Sequence, residues 1–175
     1  SFLGVNHLLK TAIFDKLSPV MQEFFMKVSL FDWFEICGAR YVTGMEIAET
    51  ALFESQEEFG FLYYDAKSRS FQMHTLLRSV AEAELEKSSI DKEALFRRAA
   101  EWCEKKNNYI EAVKYYRKSG NPEKIAGIYA ARQGKSLIEQ APELFEDIMD
   151  YIWDNVWEGN LMAWLNYLYY RAMRD

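Results

Sequence analysis

Two short apolar runs separated by a charged gap interrupt an otherwise helix-periodic sequence. Phe61-Leu62-Tyr63-Tyr64 precedes the polar stretch Asp65-Ala66-Lys67-Ser68-Arg69, and Phe71-Gln72-Met73-His74 then alternates in character. Runs of that length across so short a gap predict a β-hairpin with a charged tip. On both sides of it, apolar residues recur at three- and four-residue spacing, the period of an amphipathic helix. Only 8 Gly and 3 Pro punctuate 175 residues, which argues for helices over a turn-rich all-β fold. Half of the residues are hydrophobic and 16% aromatic, so the chain has ample material for a core and is not disordered.

Before the hairpin the periodicity predicts four helices. The first covers residues 1–17, with Leu9, Ile13 and Leu17 on one face. Ser18-Pro19 then supplies an N-cap and a first-turn proline for a second, with Val20, Phe24 and Val28 inward and an end near Phe31. A third runs from Trp33 to Val42 and stops at Thr43-Gly44, and a fourth from Met45 to about Glu57 turns Ile47, Ala48, Ala51 and Leu52 inward. From Thr75 the helical period returns through Leu77, Val80 and Ala81. This order predicts a winged-helix domain over residues 1–88, with residues 65–70 as its wing.

Residues 89–175 read as helices only: 91–106, 109–118, 123–132, 142–156 and 160–173, joined at Asn107-Asn108 and Ser119-Gly120-Asn121-Pro122. Short helices with small contact residues and tight turns predict TPR-like α-hairpin repeats. The fold class expected is therefore mainly α, a winged helix with a short β-hairpin followed by a helical repeat segment. Tyr115 and Trp157 fall off the inward faces and are candidate residues of a partner surface. Both ends of the chain read as cut from a longer polypeptide.

The run Ser70-Phe71-Gln72-Met73-His74-Thr75-Leu76-Leu77-Arg78 resembles the strand-to-helix junction of MalT-like, LuxR-family transcriptional regulators. There an aromatic–x–x–His–x–Leu–hydrophobic–Arg pattern closes the winged helix. Ile13 to Ser18 with Phe24 to Leu30, Cys37 to Gly44, and Ala99-Ala100-Glu101-Trp102 with Glu111-Ala112-Val113 and Gly120-Asn121 resemble further pieces of that family in order. The resemblance spans residues 1 to about 134. It implies a signal-transducing NTPase of bacterial origin, with a nucleotide-binding domain before these residues, a helical sensor beginning within them, and a helix-turn-helix at the C-terminus. It further implies that the winged helix packs on the nucleotide domain, that His74 contacts ADP phosphate in a closed resting state, and that ATP with an inducer or regulatory protein on the helical arm favours an open, multimerising state. Thr75 stands where many relatives carry Asp.

The residues alone suggest less chemistry. Net charge is -6, so no global field attracts nucleic acid or anionic lipid. The wing carries Lys67 and Arg69, but the fourth helix carries Glu46, Glu49, Glu54, Glu57 and Glu58, which a phosphate backbone repels; direct DNA binding is not expected. The one basic stretch, residues 89–134 with 10 basic and 6 acidic side chains, interleaves Arg97, Arg98, Lys105, Lys106, Lys114, Arg117 and Lys118 with Glu101, Glu104 and Glu111, the pattern of a solvated face. Gln133-Gly134-Lys135-Ser136 imitates a phosphate loop, but Tyr129 stands where the first glycine is needed and a helix precedes it; Gly134 reads instead as a helix C-cap. His7, Cys37 and Cys103 show no metal-ligand spacing, the cysteines read as buried thiols of a reducing, cytoplasmic setting, and no catalytic motif is present. No membrane span is expected. Read without the family, His74 is a helix cap or a solvated side chain, and the helical half fits a protein–protein interaction scaffold equally well.

Overall fold

The computed structural model describes residues 10–156 and the single positions 165, 169 and 172. It is mainly α-helical with one three-stranded antiparallel sheet. The chain divides into two compact units, Ser1–Lys92 and Glu93–Asp175.

In the first unit, residues 10–12 are helical and give way to a 3-10 turn at Phe14–Lys16, so the helix expected to run on to Leu17 breaks at Ile13. Helix α1 spans Pro19–Val28, and its Ser18 cap is as expected: the Met21 N–H donates to Ser18 Oγ at 3.3 Å. Its inward stripe is Phe24, Phe25 and Val28, while Val20 is 55% exposed, against expectation. At about 100° per residue, a stripe centred between Phe24 and Phe25 leaves Val20 about a quarter turn off the core.

The third predicted helix is corrected. Phe34–Glu35 form a short strand, β1, and helix α2 occupies only Ile36–Thr43, ending at the left-handed Gly44 with φ 69°. Helix α3 spans Glu49–Phe59 and so starts later than Met45. Arg40 explains the delay, because its Nε and Nη2 both donate to the Ile47 carbonyl, at 2.8 and 2.6 Å, and hold that segment as a loop. Ile47 is still buried from there, but Ala48 is exposed.

The hairpin forms at β2, Leu62–Asp65, and β3, Ser70–Met73, paired Leu62 to Met73 and Asp65 to Ser70. Asp65 builds the wing: its carboxylate accepts from the Ser68 hydroxyl at 2.6 Å and from the Lys67 and Ser68 amides at 3.1 and 3.2 Å. The Ser68 hydroxyl foremost, with the Lys67 amide, holds this carboxyl below its ordinary range. β1 pairs with the other edge of β3, giving the order β1-β3-β2. On the inner face Phe71 stacks on Phe34 at 5.8 Å and meets Phe53 at 5.3 Å and Tyr64 at 4.8 Å. Helix α4, Thr75–Lys87, closes this core with Leu77, Val80, Ala81 and Leu85.

The second unit contains α5 from its second residue on (Lys92–Lys105), α6 (Tyr109–Lys118), α7 (Pro122–Ala130), α8 (Gly134–Gln140) and α9 (Pro142–Val156). Asn107 turns the chain with φ 58°, and Asn108 caps α6 by accepting from the Glu111 amide. Ala112, Val113, Tyr116, Ile125, Ile128, Tyr129, Phe145, Ile148, Met149 and Ile152 share one buried cluster. Trp102 and Cys103 of α5 are only half-buried; Leu95, Ala99 and Ala100 carry its contact. The helix predicted over 160–173, including Trp164, lies outside the described residues apart from the three single positions.

Helix α8 was not anticipated. Gly134 begins it rather than ending α7, and the reason is a close approach: a Cβ at Gly134 would lie 1.9 Å from the Tyr129 carbonyl oxygen. Backbone atoms cannot yield as a flexible side chain can, so Gly134→Ala should destabilise the protein by about 2 kcal/mol or more in urea denaturation. Gly127, in the middle of α7, has open space where its Cβ would be. Gly127→Ala should stabilise by about 0.5–1 kcal/mol through helix propensity.

Candidate functional site

The strand β3 delivers His74 to the N-cap position just before α4. Its amide donates to the Phe61 carbonyl at 2.8 Å, extending the β2–β3 ladder by one pair. Its side chain is the N-cap of α4: Nδ1 accepts from the Leu76 amide at 3.2 Å. An acceptor nitrogen carries no proton, so in the neutral ring Nε2 is the protonated nitrogen and a hydrogen-bond donor. The imidazole is exposed and lies edge-on to Phe61 at 5.7 Å. The capping reading and the ligand-donor reading of His74 are therefore compatible, because each uses a different nitrogen. A donor beside the positive end of a 13-residue helix suits an anionic group.

Arg78, one turn along α4, bonds Glu82 through Nε at 3.0 Å and pairs through Nη1 with Asp32 in the segment entering β1. The sequence run from Phe71 to Arg78 thus places a core aromatic, an exposed imidazole and a tie between α4 and the β1 entrance. Next to Asp32, Trp33 is 44% exposed and meets Tyr63 of β2, itself 59% exposed, edge-to-face at 5.8 Å. Sequence reasoning did not single out this pair, which lies 30 residues apart in a chain rich in core aromatics.

The other nominated residues are placed as follows. Tyr115 is half-buried, stacked on Phe96 at 6.2 Å with the Lys118 ammonium over both rings. Trp157 lies outside the described residues. The basic stretch is engaged by neighbours, Lys114 with Glu111 at 2.6 Å, Arg117 with Asp147, and Lys106 over Trp102. On the wing, Arg69 adopts φ 54°. Helix α3 has no basic residue in its last turn and carries Glu49, Glu54, Glu57 and Glu58, whereas Glu46, expected on the same helix, lies in the loop before it. Gly134-Lys135-Ser136 follows helix α7, not a strand, which removes the phosphate-loop reading on structural grounds as well. In the second unit a crevice of about 140 Å³ is lined by Asn107, Asn108, Tyr109, Gln133, Ser136 and Gln140, uncharged groups that the sequence reading did not bring together.

Among the described residues no group of His, Cys, Asp and Glu can hold a metal ion, and no helix is long and apolar enough to cross a membrane. The cysteines differ from the expectation that both are buried: Cys37 is exposed and Cys103 half-buried.

Helices packed against a three-stranded sheet whose hairpin ends in an exposed turn at residues 66–69 define the first unit as a winged-helix domain. Residues 10–93 match the MalT winged helix domain family, and the match supports a MalT-like regulator. No curated protein matches the chain.

Burial, with the Glu111 carboxylate adding to it, pushes the Cys103 thiol up to about 11. Below that pH the thiol stays protonated and unreactive. Iodoacetamide at pH 8 should therefore modify exposed Cys37 well before Cys103, and Cys103 labelling should climb only as pH approaches its raised value. Equal labelling at pH 8, read by peptide mass spectrometry, would contradict that burial.

Proposed function

We propose that the chain is a regulatory portion of a LuxR-family, MalT-type bacterial transcriptional regulator of the signal-transducing NTPase class. The winged helix packs on a nucleotide-binding domain of the same polypeptide, and the helical unit is the start of a TPR-like sensor arm that receives an inducer or regulatory protein. The residues themselves neither catalyse a reaction nor bind DNA; a C-terminal helix-turn-helix carries the DNA contact, and the protein works in the cytoplasm. ADP is the resting ligand of the intact polypeptide, and His74 donates to its phosphate through Nε2.

One observation carries this reading. Within the segment that matches the MalT winged helix domain, the capping bond to Leu76 leaves His74 as an exposed donor at a helix N-terminus. That fits an anionic phosphate and does not fit a cation. In the switch that follows, ADP favours the closed arrangement, and ATP with inducer favours the open one. Moving such an equilibrium from 1:99 to 99:1 takes about 5.5 kcal/mol of differential binding. One hydrogen bond to a charged phosphate contributes about 1.5–3 kcal/mol of it.

The test separates the cap from the phosphate contact. In the full-length polypeptide, His74→Ala should lose both, and His74→Ser should restore the cap while removing the imidazole. Both variants should release ADP about 10- to 100-fold faster than wild type, the kinetic equivalent of that bond. Only His74→Ala should also lower the melting temperature. An ADP release rate unchanged in His74→Ser would overturn the phosphate role.

A further inference from the structure

We infer that the first turn of α4 is a proton-sensitive joint: it is capped while the His74 imidazole is neutral and comes uncapped when the ring takes up a proton. The inference goes beyond the phosphate role given above, because it needs only the capping bond and holds whether or not an anion meets Nε2.

The bond itself sets the condition. The Leu76 amide can only donate, so Nδ1 must present a lone pair to it at 3.2 Å. An imidazolium carries a proton on both nitrogens and has no acceptor left. Protonation therefore sets two donors against each other and removes the cap. The helix adds a second penalty of the same sign, since a positive ring at its N-terminus meets the positive end of the macrodipole. Ser18 and Asn108, which cap α1 and α6, have side chains that do not titrate. An imidazole does, and as a class it changes charge at about pH 6.5. The cap is thus present on the alkaline side and is lost as pH falls.

The position of the cap limits what a proton can loosen. The His74 amide donates to the Phe61 carbonyl at 2.8 Å, and the His74 carbonyl accepts from the Arg78 amide at 3.0 Å. Neither bond uses the ring, so the β2–β3 hairpin keeps its hold and the loss falls on the first amides of the helix. Beyond them Leu77 is buried, and Arg78 is bonded to Glu82 and paired with Asp32. Fraying therefore stops within about one turn. The charges on the segments around the ring pull both ways. Arg78, one turn along α4, opposes a second positive charge, and its partners Glu82 and Asp32 offset it. Phe61, which meets the ring edge-on, is uncharged; Glu57 and Glu58 end the helix before it, and the Tyr63 phenol follows on β2. Both glutamates are exposed, where solvent and salt screen them, whereas the capping bond is a direct contact.

The experiment uses the full chain labelled with nitrogen-15. NMR reads solvent exchange of the Leu76 amide between pH 8 and pH 5, corrected for the intrinsic pH dependence of exchange, and follows the imidazole nitrogens in parallel. His7 is the other histidine of the chain, so His74→Asn also identifies the ring signals. That variant keeps a cap that does not titrate, and His74→Ala has none. Expected in the wild type are a bare Nδ1 at pH 8 and an about fivefold loss of Leu76 protection as the ring protonates, the share of the local opening equilibrium that an N-cap controls. His74→Asn should stay protected across the range, and His74→Ala should match the acidic wild type throughout. Wild-type protection that does not change while the ring titrates, or a ring protonated on Nδ1 at pH 8, would overturn the inference. An equal acid loss in His74→Asn would overturn it too, since the sensor would then be one of the carboxylates, Asp32, Glu57, Glu58 or Glu82.

Discussion

Phe71 is the side chain through which the first unit is assembled. It sits on the central strand, fully buried, and touches a ring from each neighbouring strand and one from α3. Its burial is worth about 1.5–3 kcal/mol by transfer alone, but its position matters more than its area. A one-residue slip against either neighbouring strand would turn Phe71 out and Gln72 in. Once that register is set, Met73 is buried, His74 emerges at the helix mouth, and Tyr63 is turned to the outside. The exposed imidazole is thus a consequence of the buried phenyl ring three residues earlier.

Much of this architecture can be read from residue order. Ser18-Pro19 caps and opens α1, Asp65 to Arg69 makes the wing, and Asn107-Asn108 and Gly120-Asn121-Pro122 separate the later helices, because each of these is a local backbone preference. What could not be read is non-local. β1 is two residues long, and nothing in Phe34-Glu35 distinguishes a strand from the start of a helix until β3 pairs with it. The loop at Ile47 exists because the Arg40 guanidinium, seven residues back on the preceding helix, holds its carbonyl, a contact that no helical periodicity signals. Helix α8 was hidden because a glycine after a helix normally ends it, whereas Gly134 answers to packing.

The same division holds for the candidate site. His74 stood out because its neighbours in sequence, Phe71 on one side and Leu76 to Arg78 on the other, form a single run. Its cap was one of the alternatives the residues allowed, but the assignment of its two nitrogens to different tasks required the 3.2 Å bond to Leu76. Trp33 and Tyr63 gave no such signal, since a pair formed across an intervening strand leaves no periodic trace. Tyr115, chosen for lying off the inward face, proves to be packed on Phe96 beneath Lys118. An off-face aromatic on a helix is as readily covered by a long cationic neighbour as by a partner.

Gly134 has an electrostatic meaning beyond its lack of a side chain. A phosphate loop works by turning amide hydrogens toward an anion. Here the Gly134 amide is already donated to the Ala131 carbonyl at 2.9 Å, and the space beside its Cα is filled by the Tyr129 carbonyl oxygen. That oxygen presents partial negative charge where the letters Gly-Lys-Ser would suggest a cradle for negative charge. The lookalike therefore lacks, at its glycine, the free amide that a phosphate loop turns toward its anion.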